Sequence, residues 1–206
     1  SAQRVTVPGE TVATGPWWNG TAIRDLSCVS STLCVASGFF KNGSSTQETF
    51  VAKGVLANGS WTWTASNISV PNATRLDQDA FVSCSSDGYC MLAAGYSSSG
   101  SNPNPLFALE FTNGAWSNTP IVFDDGTNDG IWVGDVSCPV TGICYVTGGS
   151  MTGSGWIWEF TDGVPVRVPI TKGSVGTWMG PIDCPTMRSC AVMGADQAAA
   201  AGRRQA

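Results

Sequence analysis

The chain has no histidine among its 206 residues. A Ser-His-Asp triad and a Cys-His pair are therefore excluded, as is any zinc site that draws on imidazole. Charge is scarce: Asp, Glu, Lys and Arg make up 12%, about half the ordinary share for a soluble domain. The ten basic residues are scattered, with no run beyond Arg203-Arg204. A nucleic-acid surface needs clustered Lys and Arg, so none is expected. No apolar stretch approaches the ~18 residues that a spanning helix requires, and no membrane span is expected. No CxxC knuckle occurs, so no metal or other cofactor is expected. The chain begins at Ser1 rather than Met, as a processed start would.

What is present suits an extracellular β protein. Apolar residues reach 42%, enough for a sizeable core, and polarity comes from Ser, Thr, Asn and Gly. The length fits one large all-β domain, 1–206. The eight cysteines are an even set with regular spacing, which reads as disulfides in an oxidising compartment, hence a secreted or cell-surface chain.

The cysteines also disclose a repeat. Cys28 and Cys34, Cys84 and Cys90, Cys138 and Cys144, and Cys184 and Cys190 all stand as C-x5-C. Two places before each first cysteine is an apolar residue (Leu26, Val82, Val136, Ile182). Immediately before it stand Ser27, Ser83 and Ser137, with Asp183 in the fourth unit. After each second cysteine a short apolar run ends at Gly38, Gly95, Gly148 or Gly194. Alternation before the first cysteine predicts a strand, the five intervening residues a turn, and the run after it a second strand. Cysteines so placed face each other across a hairpin, within disulfide reach.

A second hairpin lies between the pairs. Asn58-Gly59, Asn113-Gly114 and Asp162-Gly163 each separate two apolar strands, and these dipeptides accept the positive φ angles of type I′ turns. Each unit then holds four strands, as a propeller blade does. The first cysteines lie 56, 54 and 46 residues apart, and the stretch from Cys184 through the C-terminus and on from Ser1 to Cys28 is again 50. The units are placed at about 20–75, 76–129, 130–175, and 176–206 plus 1–19. Residues 3–8 resemble residues 164–169, the fourth strand of unit three. They are expected to complete the last blade, or a neighbouring molecule's, by strand exchange. The Ala-rich stretch 197–204 is a poor strand former where unit four needs its third strand.

With these motifs in view, the chain resembles the blade repeats of secreted bacterial Kelch-like and sialidase-like β-propellers, over roughly 22–194. Pro139 and Pro185 open the inter-cysteine turn as those repeats often do, while the first two units lack that proline. The resemblance implies a β-propeller and no particular activity. The Asp box is present only as the fragment Ser85-Ser86-Asp87-Gly88, so sialidase activity is not implied.

Candidate sites are few. Two carboxylates could serve a glycosidase, drawn from Asp124, Asp125, Asp129, Asp135, Glu110 and Glu159. However, Glu110 and Glu159 are equivalent by repeat, as are Asp25 and Asp135, and structural duty is the preferred reading: an Asp three residues before a cysteine can cap a turn or bond the amides of neighbouring strands. The acidic stretch 124–130 lacks the EF-hand pattern and reads as a solvated loop. Among the nine tryptophans, Trp132 and Trp178 share one repeat position and Trp61 and Trp116 another, and all four are expected in the core. Trp17, Trp18 and Trp63 break the pattern and are the candidate glycan contacts. N-x-S/T sequons mark Asn19, Asn42, Asn58, Asn67 and Asn72 as candidate glycosylation sites. The expectation is a secreted or cell-surface structural or interaction module, not an enzyme, self-associating through its N-terminal strand. A glycan-binding, lectin-like propeller is the alternative and a carboxylate glycoside hydrolase the third reading.

Overall fold

The computed structural model describes residues 5–9, 21–41, 47–98, 105–123, 131–150, 154–170 and 177–196. Among them there is no helix, so none long and apolar enough to cross a membrane. The first sheet is an antiparallel meander of β1 (Ala22–Ser30), β2 (Leu33–Lys41), β3 (Gln47–Ala57) and β4 (Ser60–Asn67). The second runs β5 (Ala73–Cys84), β6 (Cys90–Ser98), β7 (Leu106–Thr112) and a divided outer strand. β8 (Ala115–Trp116) and β9 (Ile121–Phe123) both pair with β7. The division falls at a bend closed by Ser117, whose hydroxyl accepts from the Thr119 amide at 3.1 Å, just before Pro120. The third sheet is β10 (Ile131–Val140), β11 (Ile143–Ser150), β12 (Gly155–Thr161) and β13 (Val164–Arg167). The fourth comprises β14 (Thr177–Thr186) and β15 (Ser189–Asp196).

The local chemistry matches the turns. Asn58 and Gly59, Asn113 and Gly114, and Asp162 and Gly163 all hold positive φ, between 48° and 80°, the type I′ signature that suits the twist of flanking strands. Each C-x5-C pair is a disulfide across one hairpin, with Cα atoms 3.9–4.1 Å apart. Every inner strand carries a bulge shortly before its first cysteine, which strengthens its twist there. The outer strand β4 alternates, with Trp61, Trp63 and Ala65 half-buried and Ser60, Thr62, Thr64 and Ser66 exposed.

The sheets pack face to face in chain order, with β1, β5, β10 and β14 side by side as the inner strands. One core lies between the first and second sheets, built on Val35, Val51, Val82, Leu92, Phe107 and Phe111. A second lies between the second and third, on Met91, Phe123, Val136, Val146, Trp156 and Phe160. Gly148 stands opposite Trp156 across β11 and β12. A Cβ on Gly148 would collide with the Trp156 ring and the Trp132 carbonyl oxygen. The glycine lets the indole lie flat on the backbone, and Gly38 does the same for Phe50.

The fourth sheet shows two strands among the described residues, and the stretch 197–204 lies outside them. One expectation requires correction. Residues 5–9 form no strand and do not complete the last sheet. They lie instead against the first sheet, where Val7 is buried with Ala36, Phe40, Phe50 and Ala52, and the Asn67 amide donates to the Pro8 carbonyl at 3.1 Å. Burying Val7 against two phenylalanines satisfies the apolar side of the Val-Thr-Val alternation.

Candidate functional site

The sheets are joined by a ladder of side chain to main chain bonds along the inner strands. The serine before the first cysteine accepts from the first-cysteine amide of the next sheet, three times in succession. Cys84 donates to Ser27 Oγ at 2.9 Å, Cys138 to Ser83 Oγ at 3.0 Å, and Cys184 to Ser137 Oγ at 3.0 Å. The recurrence of Ser at this place is visible in the sequence, but its role needs the stacking of sheets to be seen.

The seams are not alike. Between the first and second sheets Asp25 accepts from Val82, and between the third and fourth Asp135 accepts from Ile182, at 2.8 and 2.9 Å. The other oxygen of each carboxylate accepts from the following residue of its own strand. At the same two seams a hydroxyl grips the next sheet: Ser37 donates to the Ala80 carbonyl at 2.7 Å and Thr147 to the Gly180 carbonyl at 2.6 Å. The middle seam has Phe81 and Ala93 at those positions and relies on apolar packing, the Ser83 bond and the exposed Asp87–Thr141 contact. Asp25 and Asp135 thus carry the amide-bonding duty expected of them.

Burial pushes the Asp135 carboxyl above its ordinary range, although the Ile182 and Val136 amides pull the other way. A raised carboxyl favours folding most below the ordinary carboxylate pKa, and that contribution declines as pH climbs through the raised value. Exposed Asp87 is the opposite case. The Ser85 hydroxyl, then Thr141 of the next sheet, hold it below its ordinary range. Its small contribution is present above the ordinary pKa and lost as pH falls through the lowered value. Replacing Asp135 by Ala strips two partly buried amides of their acceptor, each worth about 1–3 kcal/mol. Asp135→Ala is therefore expected to lower unfolding free energy by roughly 2–6 kcal/mol in a denaturant titration, with the exposed variant Asp87→Ala as the near-neutral comparison.

Two further candidate carboxylates, Glu110 and Glu159, are also bonded. Glu110 accepts from the Tyr89 hydroxyl at 2.6 Å; burial first, and then this bond, push the Tyr89 phenol well above its ordinary range. Glu159 accepts from Thr161 at 3.2 Å. Asp124, Asp125 and Asp129 lie outside the described residues. No group of three or more potential metal ligands assembles among the described residues.

A cleft of about 500 Å³ opens between the outer halves of the first two sheets. Its floor is Val51 and Phe111, and its walls carry Lys53, Thr64, Asn67 and Trp116. Lys53 spans the two sheets, its ammonium donating to the Gly114 carbonyl at 2.9 Å. Trp116 packs on Phe111, with ring centroids 5.2 Å apart, and its indole N–H is buried with no hydrogen-bond partner among the described residues. The expectation of a core role for Trp116 is met in part, since the ring also walls the cleft. Trp61 and Trp132 are half-buried, and the Trp178 side chain lies outside the described residues.

Of the candidate glycan contacts, Trp17 and Trp18 lie outside the described residues. Trp63 is half-buried, its ring over Gly54 and stacked on Trp61 with centroids 5.9 Å apart. Asn58, Asn67 and Asn72 are exposed, with Asn58 and Asn72 at positive φ; Asn19 and Asn42 lie outside the described residues. No family model matches this chain, and no curated protein is similar enough to it to count as a match.

Proposed function

We propose that this chain is a secreted or cell-surface structural or interaction module of the β-propeller kind, with no catalytic duty. One observation carries the reading: every sheet is stapled to itself by a disulfide, and each of the first three is tied to the next by an inner-strand hydroxyl or carboxylate. The polar side chains that might have formed a reaction centre, Asp25, Asp135 and Glu110, are engaged in holding strands and sheets. Such a body presents rigid surfaces at little conformational cost. Inner strands lying side by side in chain order support the propeller reading and its likeness to Kelch-like and sialidase-like blades. The four bridges support an oxidising, extracellular setting. Fractionation of the source cells, with thiol labelling, tests the reading. Recovery outside the cytoplasm with all eight cysteines oxidised is expected, and a cytoplasmic pool with free thiols would overturn it.

A second reading is favoured by the cleft beside Trp116. An apolar floor, a ring wall, and Lys53, Thr64 and Asn67 at the rim suit a saccharide, which offers hydroxyls and a C–H face. Trp63 contributes packing to this arrangement rather than a free ring face. A glycan array probed with the wild type and with Trp116→Ala distinguishes the two. Binding that disappears in the variant supports a lectin, and silence across the array leaves the scaffold reading alone.

A further inference from the structure

The three internal seams define what each sheet offers its successor and what it takes from its predecessor. The residue two places before the first cysteine buries itself against the preceding sheet: Val82, Val136 and Ile182 are 3%, 4% and 6% exposed. The equivalent residue of the first sheet, Leu26, is 54% exposed, and Ile23 on the same strand is 48% exposed. Residues 5–7 cover the strands β2 to β4 on that face and leave β1 bare. At the far end, the positions on β15 that match Val35 and Ser37 of the first sheet are Ala191 and Met193. Both are exposed, Met193 at 67%. Asp183 stands where Ser27, Ser83 and Ser137 each accept from a cysteine amide of the next sheet, and it too is exposed.

The two ends are therefore the two halves of a seam that the chain already builds three times. We propose that they meet between copies, head to tail: the outward face of the fourth sheet in one copy receives the bare β1 of a second copy. Leu26 of one chain covers Ala191 and Met193 of the other, and the Asp183 carboxylate accepts from the Cys28 amide. Pro181 and Met193 occupy the places of Phe81 and Ala93, so this junction is of the apolar, middle-seam type. The contact joins unlike surfaces, so it closes a ring if the rotation allows and extends a filament if it does not. This inference rests on the scaffold reading and replaces strand exchange through residues 3–8 as the means of association.

Light scattering on the purified, oxidised chain, over a wide concentration range, tests it. The wild type is expected at twice the mass of one chain or more. Leu26→Asp and Met193→Asp, both at exposed positions and with unchanged melting temperatures, are each expected at the mass of one chain. An equimolar mixture of the two variants regains association, because one supplies an intact β1 and the other an intact fourth sheet. A wild type that stays at the mass of one chain overturns the proposal, and a protected Cys28 amide in that monomer would mean that the ends close within one molecule. Association that survives both substitutions, or a mixture that does not recover, overturns it equally. A monomer with all bridges intact and outside the cytoplasm leaves the scaffold reading standing, so the two failures are told apart.

Discussion

Full reduction of the chain is expected to lower its melting temperature by roughly 20 °C, or to leave it unfolded at 37 °C. Each bridge closes a small loop, and the chain-entropy cost it removes from the unfolded state is about 2 kcal/mol. Four such bridges amount to about 8 kcal/mol, within the 5–15 kcal/mol that ordinarily separates folded from unfolded domains. For a domain of this size a change of 1 kcal/mol moves the midpoint by about 2–4 °C. Thermal melts with and without a phosphine reductant measure the effect, and superimposable curves would remove the bridges from any account of stability. The bridges should also open in order. Cys28 and Cys190 are exposed, whereas Cys138 and Cys144 are 5% and 0% exposed. Because thiol–disulfide exchange requires access to sulfur, mass mapping after partial reduction should find the two end bridges broken first and Cys138–Cys144 last.

Trp156→Ala is expected to cost about 3–5 kcal/mol, the range for deleting a large aromatic from a packed interior. Trp156 is fully buried in the core between the second and third sheets, and its ring lies directly against Gly148. Its indole N–H is buried without a partner among the described residues, so Trp156→Phe, which removes that orphaned donor while keeping most of the ring, should cost far less. Denaturant titrations of the two variants decide the matter. Equal losses would mean that the N–H, and not the ring's volume, is what the site needs.

The hairpins were legible because each rests on chemistry that operates over a few residues. Asn-Gly and Asp-Gly need only their own backbone freedom, and positive φ appears at all three places. A five-residue gap between cysteines likewise leaves little choice of partner. The role of residues 3–8 was not legible, since alternation reports that one side of a segment is buried without saying by what. Val7 is 1% exposed because phenylalanines of the first sheet cover it. The tryptophans divide in the same way. Trp63 looked unconstrained by repeat, yet Gly54, a residue with no apparent partner in sequence, sits opposite it in the register and gives its ring a bed. The cleft beside Trp116 depends on the distance between two sheets separated by some fifty residues, which no local pattern encodes.

The polar and apolar junctions alternate along the stack. Asp25 corresponds to Asp135 and Ser37 to Thr147, across Gly38 with Phe50 and Gly148 with Trp156, while their intervening counterparts, Phe81 and Ala93, break the match. The structural element that recurs is thus a doublet, one latched pair beginning at β1 and another at β10. A cut between β9 and β10 would part the molecule at its apolar junction and leave both latches whole.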